Sequence, residues 1–406
     1  MNRSLARIPG ALAQLNFKPF PKPGRNPSSG AVTVDELRLL AKRRTPTPAF
    51  DYADGGSYSE QALERNHRAY RNVELVPGIL RDVSTVDPRV RVAGTGFSLP
   101  VGIAPTGLTR LLHAAGERAG AAAAAKHNIP FTLATMGTVS IEDTAAAAPW
   151  GTCWFQLYLR QDRAQSLEML RRAQAAGYKA LLLTVDTAVT STRVRDARNG
   201  MTLPPTLGPR SILDAVRRPA WCWDFLTTPP LEFANFSDAP GNVSAQFNTM
   251  FDASLDFADL GWVREAWPGP LIVKGVQGPE DAVECFAHGA DGVVVSNHGG
   301  RQLDRAPVPL LQLPAIRAAV GPGKLLIVDS GILSGGDVVA ALAAGADFTL
   351  IGRAYLYGLM AGGQTGVERA LEILEREIRQ TMALLGVRSL DELGPRHVRL
   401  GAASPV

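Results

Sequence analysis

The sequence predicts a closed (β/α)8 TIM barrel. Three observations carry that reading: eight short apolar runs, alanine-rich helical stretches between them, and reactive side chains gathered where the runs end. Near-continuous apolar strands alternating with helices imply a parallel sheet covered on both faces. Eight such units close a barrel. No GxGxxG follows any run, which disfavours a dinucleotide-binding fold.

The elements follow in order. Residues 1–30 carry Arg3, Arg7, Lys18, Lys22 and Arg25, no acid, and four prolines between Pro19 and Pro27. They lack the apolar centre of a signal peptide and read as a loose basic arm. Residues 31–398 read as one barrel domain, opened by a helix over about 34–43 and short capping elements up to residue 99. Strands are expected at 100–104, 130–134, 154–158, 180–186, 271–274, 292–296, 325–329 and 348–352. Helices are expected at 116–127, 164–176, 279–288 and 336–344, with closing helices in 366–393. Some eighty residues separate the fourth and fifth strands, and 195–262 is expected to form an extended lid. Residues 193–222 hold six arginines against two aspartates beside Trp221 and Trp223. A lid with ordinary surface arginines and a membrane-facing patch both fit this.

Composition excludes several classes. At 46% hydrophobic, 20% charged and net charge +4, the 406 residues resemble an ordinary soluble protein. No lysine tract or zinc-finger spacing supports a nucleic-acid partner. Cys153, Cys222 and Cys285 are odd in number and far apart, pointing to free thiols in a reducing compartment and no cysteine metal site. No apolar run is long enough to span a bilayer. A cytoplasmic location is expected.

Barrels keep their reactive groups at the C-terminal ends of the strands. The most informative string is SNHGGRQLD at 296–304, which follows the sixth apolar run and delivers His298 and Arg301 together. Histidine titrates near working pH, and arginine offers planar donors to a carboxylate. That pairing suits proton chemistry on an anionic substrate. Other exits supply Thr106, then Gln156 and Tyr158, then Thr184 and Asp186 with Arg193 beyond. Lys274 ends the fifth strand, where an inward lysine meets an anion or an electron-poor cofactor. Asp186 either caps a helix or steadies an imidazole. Asp329 and Gly331 after the seventh strand, and Gly352 and Arg353 after the eighth, fit the usual barrel phosphate site.

These strings, with FDYADGG at 50–56, APTGL at 104–108 and IGRA at 351–354, resemble the FMN-dependent L-2-hydroxy acid dehydrogenases and oxidases over roughly residues 33–398. The likeness is strongest to the bacterial respiratory L-lactate dehydrogenase branch, carried by RVRDARNG at 193–200 and GRAYLYGLMAG at 352–362. The resemblance implies FMN as cofactor, a small 2-hydroxy acid as substrate and a quinone or other non-oxygen acceptor. It further implies a homotetramer and peripheral contact with the inner face of the cell membrane. His298 would take the substrate proton, steadied by Asp186. Arg301, Arg193, Tyr52 and Tyr158 would hold the carboxylate and hydroxyl. Lys274 would stabilise charge on the flavin. Thr106, Gln156, Thr184, Ser296 and Asp329 would line it, and Gly331, Gly352 and Arg353 would hold the phosphate.

Two positions depart from the family pattern. Ala134 stands where relatives carry a flavin-contacting serine, so one hydrogen bond is missing unless Thr135 substitutes. Leu333 stands where many relatives place a phosphate-binding arginine. Met136, in place of a bulky aromatic, favours lactate or larger acids over glycolate. The other readings are an enzyme for mandelate or glycolate, a flavin-binding protein without turnover, and an FMN-dependent isomerase.

Overall fold

All eight apolar runs are strands: β1 (Val101–Thr106), β2 (Pro130–Ala134), β3 (Thr152–Leu157), β4 (Ala180–Thr184), β5 (Leu271–Val276), β6 (Gly292–Val295), β7 (Leu325–Val328) and β8 (Phe348–Ile351). The structure is a computed structural model describing residues 27–201, 208–236 and 251–401. Most of the basic arm, and residues 202–207 and 237–250 of the expected lid, lie outside the described residues. Each strand pairs in parallel with the next, and β8 returns to β1, so no barrel edge is left open.

Side-chain alternation divides the core in two. Inward-facing Trp154, Leu182, Ile272, Val294, Ile327, Phe348 and Leu350 fill the barrel. A hairpin, Val90–Val92 with Thr95–Phe97, plugs one end with Val92 and Phe97. The Phe97, Trp154 and Phe348 rings meet at 5.8–6.1 Å. Outward-facing Leu181, Leu183, Val273, Val293 and Val328 pack beneath the helices.

The expected helices lie at Gly116–Lys126, Arg163–Ala175, Pro279–Ala287 and Gly335–Ala343. The entry helix α1 is Val34–Arg44, capped by the Thr33 hydroxyl, with Asp35 and Glu36 at its start and Lys42, Arg43 and Arg44 at its end. Two short helices then arch over the barrel, α2 (Thr47–Asp54) and α3 (Gln61–Arg71). A helix at Pro309–Val320 escapes a sequence reading because Pro314 interrupts its pattern. The closing helix begins earlier than expected, at Arg353, and runs to Leu384 with a break at Gly362 and Gly363. The expected extended lid also contains helices, Pro209–Val216 and Pro219–Thr227, each opened by proline.

Candidate active site

The strand exits surround a cavity of about 520 Å³ at one mouth of the barrel. Strand register sets its floor: Thr184 lies opposite Lys274, and Ala134 opposite Gln156. Tyr52, Thr106, Gln156, Tyr158, Thr184 and Arg193 line one part, and Lys274, His298, Arg301, Asp329, Gly331, Gly352 and Arg353 the rest. Asp186 and Ser296 sit just behind this lining, close against the residues they support.

His298 enters from a strained turn. Its φ of 57° lies in the left-handed region, followed by Gly299 at 64° and Gly300 at 74°. Such a conformation costs a non-glycine residue about 1–2 kcal/mol. Hydrogen bonds hold it: His298 N–H donates to Ser296 Oγ at 3.0 Å, and Gly299 N–H to Ser330 Oγ at 3.0 Å. The ring Nδ1 lies 3.0 Å from Asp186 Oδ1, so the neutral ring carries its proton on Nδ1 and leaves Nε2 as the proton acceptor. Burial alone would push the Asp186 carboxyl up, but the His298 charge and hydrogen bond, with Lys274, hold it below the usual range. Gly275 allows this approach, for its φ is 110° and a Cβ there would lie 2.7 Å from Asp186 Cβ.

Arg301 donates to the Tyr52 carbonyl at 2.6 Å and the Gly55 carbonyl at 3.0 Å. Burial first, then the charge of Arg193, lowers its pKa to about 10. The two guanidiniums flank the Tyr52 ring at 5.1 and 5.2 Å. Arg193 Nε also pairs with Asp196 at 2.6 Å. A desolvated cation pressed by a second cation is the electrostatics of an anion site. Tyr158 stands nearby, its hydroxyl pKa pushed well up by burial.

Lys274 Nζ donates to Ser296 Oγ at 3.1 Å and pairs with Asp329 Oδ2 at 3.3 Å. Burial opposes its charge, but Asp329 and Asp186 outweigh that and raise its pKa. Buried polar atoms in the wall without a hydrogen-bond partner include Gln156 Nε2 and Thr184 Oγ1. Unsatisfied buried donors mark a place for a polar ligand, and an isoalloxazine edge would satisfy them. The Gln156 amide is preset for this, because Thr135 N–H donates to its Oε1 at 3.1 Å. Thr135 does not replace the serine lost at Ala134. Its hydroxyl donates to the Gln156 carbonyl, accepts from Tyr158 N–H and is fully buried.

At the far end, Gly352 and Arg353 open the long helix, whose first amides suit a phosphate. The Arg353 side chain is otherwise engaged: Nε donates to the Asp54 carbonyl, and its two terminal nitrogens to the carbonyls of Gly299 and Gly55. Leu333 lines this end without charge. The donor set still fits FMN, by way of these amides, the orphaned Gln156 and Thr184 groups, and Lys274.

Several residues escaped the sequence reading. Ser330, at φ 76°, bonds both Asp329 and Gly299 and so ties the seventh exit to the sixth. Phe251 meets Tyr158 edge-on at 5.2 Å and closes one wall. Asp304, the last residue of the SNHGGRQLD string, accepts from Ser59 and Ala62 N–H and caps α3. His67 reaches the same cavity from α3. These depend on long-range contacts and carry no local signal beyond their residue types.

A family model described as FMN-dependent dehydrogenase matches residues 41–400. A protein of Mycobacterium tuberculosis (strain ATCC 25618 / H37Rv) described as "Putative L-lactate dehydrogenase" is 51% identical over 399 residues, covering 98% of this chain and 96% of that protein. An L-lactate dehydrogenase of Chromohalobacter salexigens is 43% identical over 376 residues, covering 91% and 95%. Among solved structures, the monotopic membrane protein (S)-mandelate dehydrogenase superposes with a TM-score of 0.88 at 38% identity, covering 91% of this chain and all of that one.

Proposed function

The chain belongs to the FMN-dependent dehydrogenase family, and on that premise we propose that it oxidises L-lactate to pyruvate and passes the electrons to a quinone or another acceptor than oxygen. That it is an FMN-dependent 2-hydroxy acid dehydrogenase follows from the family itself. The observation that carries hydroxy acid oxidation is the His298–Asp186 pair at 3.0 Å in one cavity with Arg193, Arg301 and Lys274, and lactate as the acid is supported by 43–51% identity to proteins described as L-lactate dehydrogenases. A base, an anion clamp and a buried cation at one barrel mouth suit a small hydroxy acid.

Arg301 and Arg193 would bind the substrate carboxylate and fix its orientation. Tyr52 and Tyr158 would donate hydrogen bonds to its oxygens. His298 Nε2 would take a proton from the substrate, and Asp186 would stabilise the imidazolium. Lys274 would place positive charge beside the cofactor. Gln156, Thr184, Thr106, Ser296 and Asp329 would line or support the cofactor ring, and Gly331, Gly352 and Arg353 its phosphate. Bound FMN supplies the two-electron acceptor. Met136, flexible and lining the same cavity, leaves room for larger side chains and keeps mandelate as the second reading.

Peripheral membrane contact has its own support. The lid helices expose Val216 (65%), Trp223 (71%) and Leu226 (79%) beside Arg217, while Trp221 anchors them by donating to the Leu111 carbonyl at 3.0 Å. An apolar face with a basic flank suits an anionic bilayer surface. Among the described residues no helix is long and apolar enough to cross a membrane. Co-sedimentation with anionic vesicles, lost on Trp223→Ala with Leu226→Ala, tests the surface. A homotetramer is the assembly expected from the family, and light scattering measures it.

The function is tested by anaerobic stopped-flow reduction with L-lactate, L-mandelate and glycolate, then reoxidation by oxygen or a quinone analogue. Fastest reduction by L-lactate and fastest reoxidation by the quinone analogue are expected. His298→Ala should keep its flavin and lose about 10²–10⁴-fold in reduction rate. Rapid flavin reduction in that variant would remove His298 from the base role.

A further inference from the structure

The phosphate end of the cavity has Arg353 but not the second cation that a doubly charged group calls for. Leu333 is apolar, and each of the three Arg353 nitrogens already donates to a backbone carbonyl. His67 lines the same cavity as Ser330, Gly331, Leu333 and Gly352, and Arg353 is the charge that acts on it most strongly. Its place is tightly set by its neighbour. Asn66 and Asn297 exchange amide hydrogen bonds at 2.9 and 2.8 Å, which pins α3 to the sixth exit. The seventh exit packs equally close, for a Cβ on Gly331 would lie 3.0 Å from the Asn66 carbonyl oxygen.

We propose that His67 is a phosphate ligand of the FMN site, taking up a proton as the cofactor binds and serving in place of the cation absent at Leu333. This rests on the FMN-dependent reading above. The charges around His67 make it a titrating ligand. Burial first, then Arg353, Arg71 and Arg38, press its pKa down to about 4, with Asp54 opposing. With no anion present the ring is therefore neutral at neutral pH. A phosphate dianion reverses the local field and favours the imidazolium. A group whose pKa rises on binding takes up a proton. Its contribution to affinity is complete below the bound-state pKa and is lost as pH rises through it. The phosphate itself becomes a dianion above about pH 6, so FMN should bind best just above that point and more weakly at alkaline pH.

The test compares the full chain loaded with FMN and with riboflavin, which has no phosphate. Each is diluted between pH 6.5 and 8.5 and released flavin is read by fluorescence. The native FMN dissociation constant should rise with pH, by up to about tenfold per unit, while that of riboflavin stays level. His67→Gln should weaken FMN about tenfold at pH 6.5, flatten the profile and leave riboflavin unchanged, which also shows that the variant is folded. Adding Leu333→Arg to that variant should restore FMN affinity without restoring the pH dependence. Native FMN affinity and a native pH profile in His67→Gln would overturn the assignment. Native protein that holds neither flavin would overturn the cofactor reading instead.

Discussion

At the scale of single residues, the site depends on charge held out of water. His298 and Asp186 form its centre, and the Asp186 carboxyl stays ionised because His298 and Lys274 overcome the burial that opposes it. Asp186→Asn would keep an acceptor for Nδ1–H but remove the charge that steadies the imidazolium. Flavin reduction should slow on the order of 10²–10⁴-fold, with KM little moved because Arg193 and Arg301 are untouched. A rate within tenfold of native would show that the carboxylate merely orients the ring. A second buried carboxyl sets acid stability. Asp54 accepts from Arg38 at 2.6 and 2.9 Å, from the Tyr357 hydroxyl at 2.7 Å and from Arg195 at 3.0 Å. Burial opposes its charge, yet these partners hold its pKa below the ordinary value. A depressed carboxyl stabilises the fold fully above the unfolded pKa of about 3.9, and that contribution fades as pH falls through the lower folded value. Asp54→Asn should therefore lower stability at pH 7 and flatten its decline below pH 4, measured by urea unfolding across pH.

At the scale of elements, loops joined across the barrel mouth do the positioning. Arg195, on the short helix Val194–Arg198, reaches Asp54 on α2 at 3.0 Å and Glu60 at 2.5 Å. That contact holds the segment following Arg193 against the cap. The Arg353–Leu384 helix gives a sharper test. It breaks at Gly362 and Gly363, and its halves meet at Gly358 and Gly366, where a Cβ on Gly366 would lie 2.0 Å from the Gly358 carbonyl oxygen. At an open helical position, glycine to alanine adds about 1 kcal/mol of stability. Here the obstacle is backbone and cannot swing aside, so the sign reverses. Gly366→Ala should lose about 1–3 kcal/mol in denaturant unfolding. An unchanged or higher midpoint would mean that the two halves can separate freely.

At the scale of the molecule, the barrel is a packed core whose lower end is sealed by a hairpin and whose upper end is left open for chemistry. Phe97 belongs to that seal, 2% exposed and in contact with Trp154 and Phe348. Phe97→Ala should cost about 3–5 kcal/mol while leaving the flavin spectrum intact, since the cavity lies at the other mouth. Loss of flavin at full folded fraction would mean that the two ends are coupled.

The strands were legible because an apolar run of four to six residues buried on both faces is a local pattern. His298, Arg301, Lys274 and Asp186 were legible because barrels expose chemistry where such runs end. Less could be read where the pattern was broken: Pro314 concealed one helix, and the composition of residues 209–227 concealed two more. The sequence by itself determined the barrel, the family and most of the residues that gather at the cavity, since each is written in contiguous strings. Tertiary structure alone decided which partner each residue takes. It occupied Arg353 with three carbonyls, bound Thr135 to β3 and brought His67 from α3 to the cavity. Those outcomes turn on contacts between segments up to about 300 residues apart, where burial drives most polar groups to a partner that no local pattern names.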